Sequence, residues 1–253
     1  MKLQKLISRL AQKHPRKIDL TLNRTFSLLK KLGNPQDNLK TVISVVGTNS
    51  KYSICQSLKA ILNQASYKCN LYLSPHLQSY TERFVYNDRE ISDEILIDLL
   101  QNIEKTLGDD QATLFEILTC AYLKYSEEFK ENITLIEAGL FHQFDSTNVF
   151  KKNLASIIGA IGMDHLQWIK NKTIEGIIHE KTAKLLNSNI FVNKQDNIEI
   201  RSKIENALRN NRSKKYFFEK DFNILKAENS FIQYEDSESL IILPEPNILV
   251  TIN

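Results

Sequence analysis

At 253 residues and 42% hydrophobic, the chain can bury a sizeable core, as one large domain or two small ones. Its 33 basic and 30 acidic residues are interspersed and leave a net charge of +3, which argues against nucleic acid as the main partner while permitting a local phosphate site. Cys55, Cys69 and Cys120 have neither a disulfide-framework number nor zinc-type spacing, and no apolar run suits a signal peptide or a membrane span, so a cytoplasmic protein without a membrane partner is expected.

Leu3, Leu6, Ile7 and Leu10 predict an amphipathic first helix. Leu22, Phe26, Leu28, Leu29 and Leu32 predict a second, stopped by Gly33-Asn34-Pro35. Val42, Ile43, Val45 and Val46 then read as a buried parallel strand. Gly47 ends it, and Ser53 through Ile61 has helical spacing that puts Ile54, Leu58 and Ile61 on one face. Strand, tight loop with a lysine, then helix is the layout of a phosphate-binding loop, Gly47-Thr48-Asn49-Ser50-Lys51-Tyr52-Ser53. In such a loop backbone N–H groups cradle an anion, the lysine reaches the outer phosphates and a hydroxyl holds Mg²⁺. Lys51 and Ser53 stand where those groups belong. Ser50 takes a place that favours glycine, at a cost of about 1–2 kcal/mol if its φ is positive. Tyr52 takes a place that favours a small residue and is expected to crowd a nucleotide.

Cys69–Leu73 predicts a second strand, and Ser92–Leu107 and Thr113–Phe129 predict helices, the latter opened by a capping box of Thr113 and Glu116. Ile133–Ile136 reads as a buried strand ending at Glu137. A carboxylate at the C-terminal edge of a parallel strand faces the crevice where ligands bind in open α/β sheets, and can hold a nucleotide's Mg²⁺. Leu154–Ile161 and Ile190–Asn193 predict further strands, and Asp196–Asn210 a charged helix. Four segments, KYFF, FNILKAE, FIQYE and SLIILP, read as short strands of an antiparallel appendage over about 214–243.

Several of these stretches resemble one family. GTNSKYS is similar to the GTNGKGS of folylpolyglutamate synthases and dihydrofolate synthases, in the Mur ligase superfamily. KKLGNPQDNLKTVISVVGTN resembles that family's lead-in to the loop, and TLFEILTCAYLKY its TYFEFLTALAF. SPHLQSYTERFVYNDREIS resembles TSPHL..Y.ERI..NG..IS, with Ser74, Pro75, His76, Leu77, Tyr80, Glu82, Arg83, Asn87, Ile91 and Ser92 in place. EAGLFHQFDSTNVF resembles EVGLGGRLDATNVI, but Gly-Gly-Arg becomes Phe141-His142-Gln143, a loop that has gained an aromatic ring and lost a charge. GMDHLQWIKNKTIEGIIHEKTAKL resembles GLDHQDWLGNTLEEIAREKAGI with one residue inserted between Trp168 and Thr173.

The resemblance implies an α/β fold, a mostly parallel sheet flanked by helices with a small β appendage. It implies one ATP-binding domain over 1–253, with N-terminal helices over 1–33 and the phosphate loop at 47–53. The tail LPEPNILVTIN resembles the point at which the family enters its C-terminal ligase domain, which is expected to be absent. The implied chemistry uses ATP and Mg²⁺ to phosphorylate a carboxylate of folate or dihydropteroate, after which the amine of glutamate attacks the acyl phosphate. Lys51 would contact phosphate. Ser53 and Glu137 would hold one Mg²⁺, and Ser74, Glu137, His165 and a carbamylated Lys181 would surround a second. Ser74, Pro75, His76, Tyr80, Glu82 and Arg83 would lie on the folate side. The alternative is a non-catalytic remnant, or one half of an enzyme completed by a separate chain. Ligation is not expected of this chain unless a partner chain completes the site, whereas residual ATP hydrolysis is compatible with Lys51 and Mg²⁺.

Overall fold

The computed structural model describes residues 2–14, 21–228, 231–237 and 239–244. The part of the tail after Pro244 lies outside them, as do residues 15–20 between the first two helices. Helices α1 (Lys2–Lys13) and α2 (Asn23–Lys31) precede β1 (Thr41–Val46), α3 (Lys51–Gln64) and β2 (Cys69–Tyr72). Next come β3 (Phe84–Tyr86), β4 (Arg89–Glu90), α4 (Asp93–Leu107), α5 (Leu114–Ser126), β5 (Ile133–Glu137) and β6 (Ala155–Ile158). The chain continues with α6 (Ile174–Thr182), β7 (Asn189–Val192), α7 (Ile198–Ala207) and β8 (Lys214–Phe217). It closes with β9 (Phe222–Glu228), β10 (Phe231–Asp236) and β11 (Leu240–Pro244).

Eight strands form one sheet in the order β4-β3-β2-β5-β1-β6-β7-β8, parallel from β2 to β8, with β3 and β4 antiparallel at one edge. This is the expected α/β architecture. Strand alternation divides the apolar residues of β1 between two faces. Val42 packs with α1, α2, α4 and α5, and Val46 with α6 and α7, whereas Ile43 and Val45 face α3. β1 therefore lies in the middle, between β5 and β6, and is buried from both sides. That placement carries the phosphate loop to the centre of the sheet's C-terminal edge.

Three local readings are corrected. The KYFF segment is not part of the appendage; it overlaps β8, Lys214–Phe217, which pairs in parallel with β7 as the last strand of the main sheet, and the three-stranded antiparallel sheet begins at Phe222. A four-residue edge strand with one buried side chain has no pattern that separates parallel from antiparallel pairing. The helix after the phosphate loop starts at Lys51, two residues before the expected Ser53, and its face is narrower: Cys55 is buried, Ile54 and Leu58 are partly covered, and Ile61 is 64% exposed. Phe26 of α2 is likewise exposed, so Thr25, Leu28 and Leu29 carry the burial.

The Thr113–Glu116 capping box forms as expected, each side chain accepting the other residue's backbone N–H. The segment expected to carry an insertion, between Trp168 and Thr173, is a turn leading into α6. There the Asn171 carbonyl comes so close to Gly176 that a Cβ would overlap it. Among the described residues no helix is long and apolar enough to cross a membrane.

Candidate active site

The C-terminal ends of β1, β2, β5 and β6 open onto a cavity of about 500 Å³. Its wall includes Thr48 and Lys51 from the phosphate loop, Ser74, Pro75 and Arg83 from the segment after β2, and Asp164 and His165 from the segment after β6. Residues some hundred positions apart thus meet because parallel strands end together.

The loop begins at Gly47, whose φ is 152°, and a Cβ there would come within 3.2 Å of the Gly159 backbone. Thr48 and Asn49 donate their N–H groups to the Ala160 carbonyl, at 2.8 and 3.3 Å. The Thr48 hydroxyl also bridges to the Gly162 backbone at 3.1 Å. The loop is therefore buttressed by the chain beyond β6. Ser50 follows with φ 65°, in the left-handed region expected to favour glycine. Its hydroxyl turns back on the Asn49 carbonyl and does not cap α3, so the first-turn N–H groups of that helix receive no side-chain cap. Such a terminus is suited to an anion. Glycine at 50 would relieve about 1–2 kcal/mol of left-handed strain and return about 0.5–1 kcal/mol through the unfolded chain. Ser50→Gly is accordingly expected to raise the urea midpoint by an amount worth about 0.5–1 kcal/mol. A lower midpoint would mean that the Ser50–Asn49 contact outweighs the strain.

Lys51 and Glu137 form the electrostatic centre. The Lys51 ammonium donates to the Thr48 carbonyl at 3.1 Å and stands 3.9 Å from Glu137 Oε1, while the Ser74 N–H donates to Glu137 Oε2 at 2.8 Å. Glu137 is 2% exposed, and burial pushes its pKa up to about 7, against the opposing pull of the Ser74 N–H and of Lys51 and Arg83. A buried carboxylate whose pKa stays raised despite these partners, beside the cavity-lining Lys51 and Ser74, fits an added cation. Among the described residues no three His, Cys, Asp or Glu side chains are grouped to hold a metal. The groups beside Glu137 are the Ser74 backbone and the Lys51 ammonium.

His165 begins a short turn in a left-handed conformation and stands 3.0 Å from the Asp164 carboxylate. Lys181, on α6, is 1% exposed and donates to the Gly47 carbonyl at 2.7 Å and the Leu140 carbonyl at 3.0 Å. Burial first, and the Lys51 charge second, push its pKa down to about 8. Phe141, from the altered loop, is buried between these two groups. Its ring centroid lies 5.5 Å from the Lys181 ammonium and 6.1 Å from the His165 ring centroid. The neighbouring His142 is buried with neither ring nitrogen hydrogen-bonded, and burial lowers its pKa to about 4.

The structure does not bring every expected residue to the wall. Ser53 is exposed and lies off it, and Tyr52 is 49% exposed and also off it, so the tyrosine does not fill the cavity. Glu82 accepts the backbone N–H groups of Leu77, Gln78 and Ser79, and holds its loop rather than lining the cavity. Conversely, Arg24, Phe115, Phe144 and Asp145 line the cavity without having been singled out as site residues. Asp145 is buried, accepting from the Leu140 N–H and from both the N–H and hydroxyl of Thr147. Arg24 pairs with Glu116 at 3.1 Å, so the α5 cap is also part of the wall. Only the capping box pointed toward this corner in the sequence.

No protein-family model matches the chain. Individual relatives do. The chain is 32% identical over 163 residues to a dihydrofolate synthase/folylpolyglutamate synthase of Escherichia coli, covering 64% of this chain and 38% of that protein. It is 35% identical over 169 residues to the Bacillus subtilis protein of the same name, covering 64% and 39%. The solved structure of E. coli FolC in complex with DHPP and ADP superposes with a TM-score of 0.84 at 26% identity, over 94% of this chain and 56% of that one. The sequence matches thus span about two-fifths of the length of these curated relatives. By sequence over this span and by fold, the chain is similar to the dihydrofolate synthase/folylpolyglutamate synthase family.

Proposed function

We propose that the cavity binds ATP with Mg²⁺ and phosphorylates a carboxylate of folate or dihydropteroate, the acyl phosphate then being taken by the amine of glutamate. The observation that carries this reading is the meeting of Lys51, Glu137 and Ser74 at the ends of three parallel strands. The bound ADP of the E. coli relative supports it. Lys51 would contact the transferring phosphoryl, where a fixed cation offsets developing charge. Glu137, which accepts the Ser74 N–H, would hold the metal with Ser74 and with His165 of the cavity wall, and the metal when bound would neutralise phosphate oxygens. Ser53, exposed on the first turn of α3, would join from the phosphate loop.

Carbamylation of Lys181 belongs to the same reading. It requires the free amine, which a pKa of about 8 makes available at alkaline pH. The carbamate's remaining N–H could keep one of the two carbonyl bonds. A weakened nucleotide site is the second reading, favoured by the strained Ser50 and by the Thr48 and Asn49 N–H groups already engaged with Ala160.

Purified chain with MgATP separates the two. ADP release that rises on adding dihydropteroate, with glutamate incorporation followed in parallel, supports acid activation. ADP release indifferent to the acid refutes it and leaves the weakened site.

A further inference from the structure

We propose that Arg83 is the residue that receives the anionic oxygens of the acid substrate, and that His76, Tyr80 and Glu82 aim it. This deepens the acid-activation reading and rests on it. Glu82 takes three successive backbone N–H groups, of Leu77, Gln78 and Ser79, at 2.7, 2.7 and 2.6 Å. These bonds hold its carboxyl below the usual range and fix the loop between β2 and β3. On that base the His76 ring packs against Tyr80, centroid to centroid 4.1 Å, and the Arg83 guanidinium sits 5.1 Å from the Tyr80 ring centroid.

The orientation comes from a single hydrogen bond. Arg83 Nε donates to His76 Nδ1 at 2.9 Å, which requires that nitrogen to be unprotonated. With Nε committed, the two terminal amines remain, and among the described residues neither meets a protein acceptor. Arg83 lies on the cavity wall with Ser74 and Pro75, and its charge is felt at Glu137. A guanidinium held by its Nε presents a planar two-donor fork, which matches a carboxylate or an acyl phosphate and which a lysine cannot copy. Of the cations on the cavity wall, Arg24 pairs with Glu116, which leaves Lys51 for the nucleotide side and Arg83 for the acid side.

The test is equilibrium binding of dihydropteroate and of its carboxamide to the wild type, Arg83→Gln and Arg83→Lys. The wild type is expected to hold the acid about tenfold or more above the amide. Arg83→Gln should bind the two alike, with its amide affinity unchanged, and Arg83→Lys should regain only part of the preference. Unchanged amide binding shows that the cavity remains intact. An undiminished acid preference in Arg83→Gln would overturn the Arg83 assignment and leave acid activation standing. Equal loss of acid and amide would reduce Arg83 to a loop staple and overturn it too. A wild type that binds both compounds alike overturns the Arg83 assignment alone, whereas one that binds neither removes the acid-activation reading and this proposal together.

Discussion

Lys51→Met is expected to lower MgATP-dependent ADP release by at least about 100-fold, the scale on which a fixed charge at a transferring group acts. The ammonium is held between the Thr48 carbonyl and Glu137, its side chain 14% exposed, so it is placed before any ligand arrives. Methionine keeps much of the stem's volume and removes the charge. It also strips Glu137 of its nearest cation, which pushes that carboxyl further toward its neutral form. A neutral buried carboxyl is tolerated, so the variant should fold while losing nucleotide affinity in a titration. Unchanged ADP release would place the phosphates elsewhere.

Glu137→Gln should have two effects of opposite sign. In the folded chain the carboxyl titrates near 7, whereas its ordinary value is 4.5, so between those pH values the folded state binds more protons than the unfolded one. Stability contributed at acid pH is therefore lost as pH rises from about 4.5 to about 7. Glutamine removes that loss. At pH 8 and without divalent cations the variant should be more stable by up to about 3 kcal/mol, shrinking toward zero near pH 4. Its amide oxygen can still accept the Ser74 N–H. The same change should abolish Mg²⁺-dependent nucleotide binding, because an amide offers the metal no charge. Urea melts at pH 4 and pH 8 measure the first effect and Mn²⁺ titration the second. A variant destabilised at pH 8 would show that Glu137 is better compensated than its burial indicates.

The parts legible in the sequence were those in which one short stretch carries both shape and chemistry. β1 announces itself by four β-branched residues, and Gly47 through Lys51 by the turn that follows. Glu137 was legible because a carboxylate ends an apolar run, where water or a ligand must meet it. The opposite wall was not. Arg24 and Phe115 come from helices far from the phosphate loop in sequence, and each looks like an ordinary helix residue until α2 and α5 pack. Ile61 misled for a related reason: helical spacing identifies a candidate face, but only the sheet beneath decides how much of it is covered. Ser53 had the right chemistry at the right spacing, yet the helix begins at Lys51 and leaves it exposed.

The central claim is that nucleotide and metal bind where β1, β2 and β5 end together. Adding Mn²⁺ and ADP to isotopically labelled chain and recording backbone amide spectra tests it most directly. The account predicts paramagnetic broadening of Thr48–Ser53, Ser74, Glu137 and His165. Asn87–Arg89, at the turn between β3 and β4, should stay sharp. Broadening centred on that turn, or spread evenly over the chain, would contradict it.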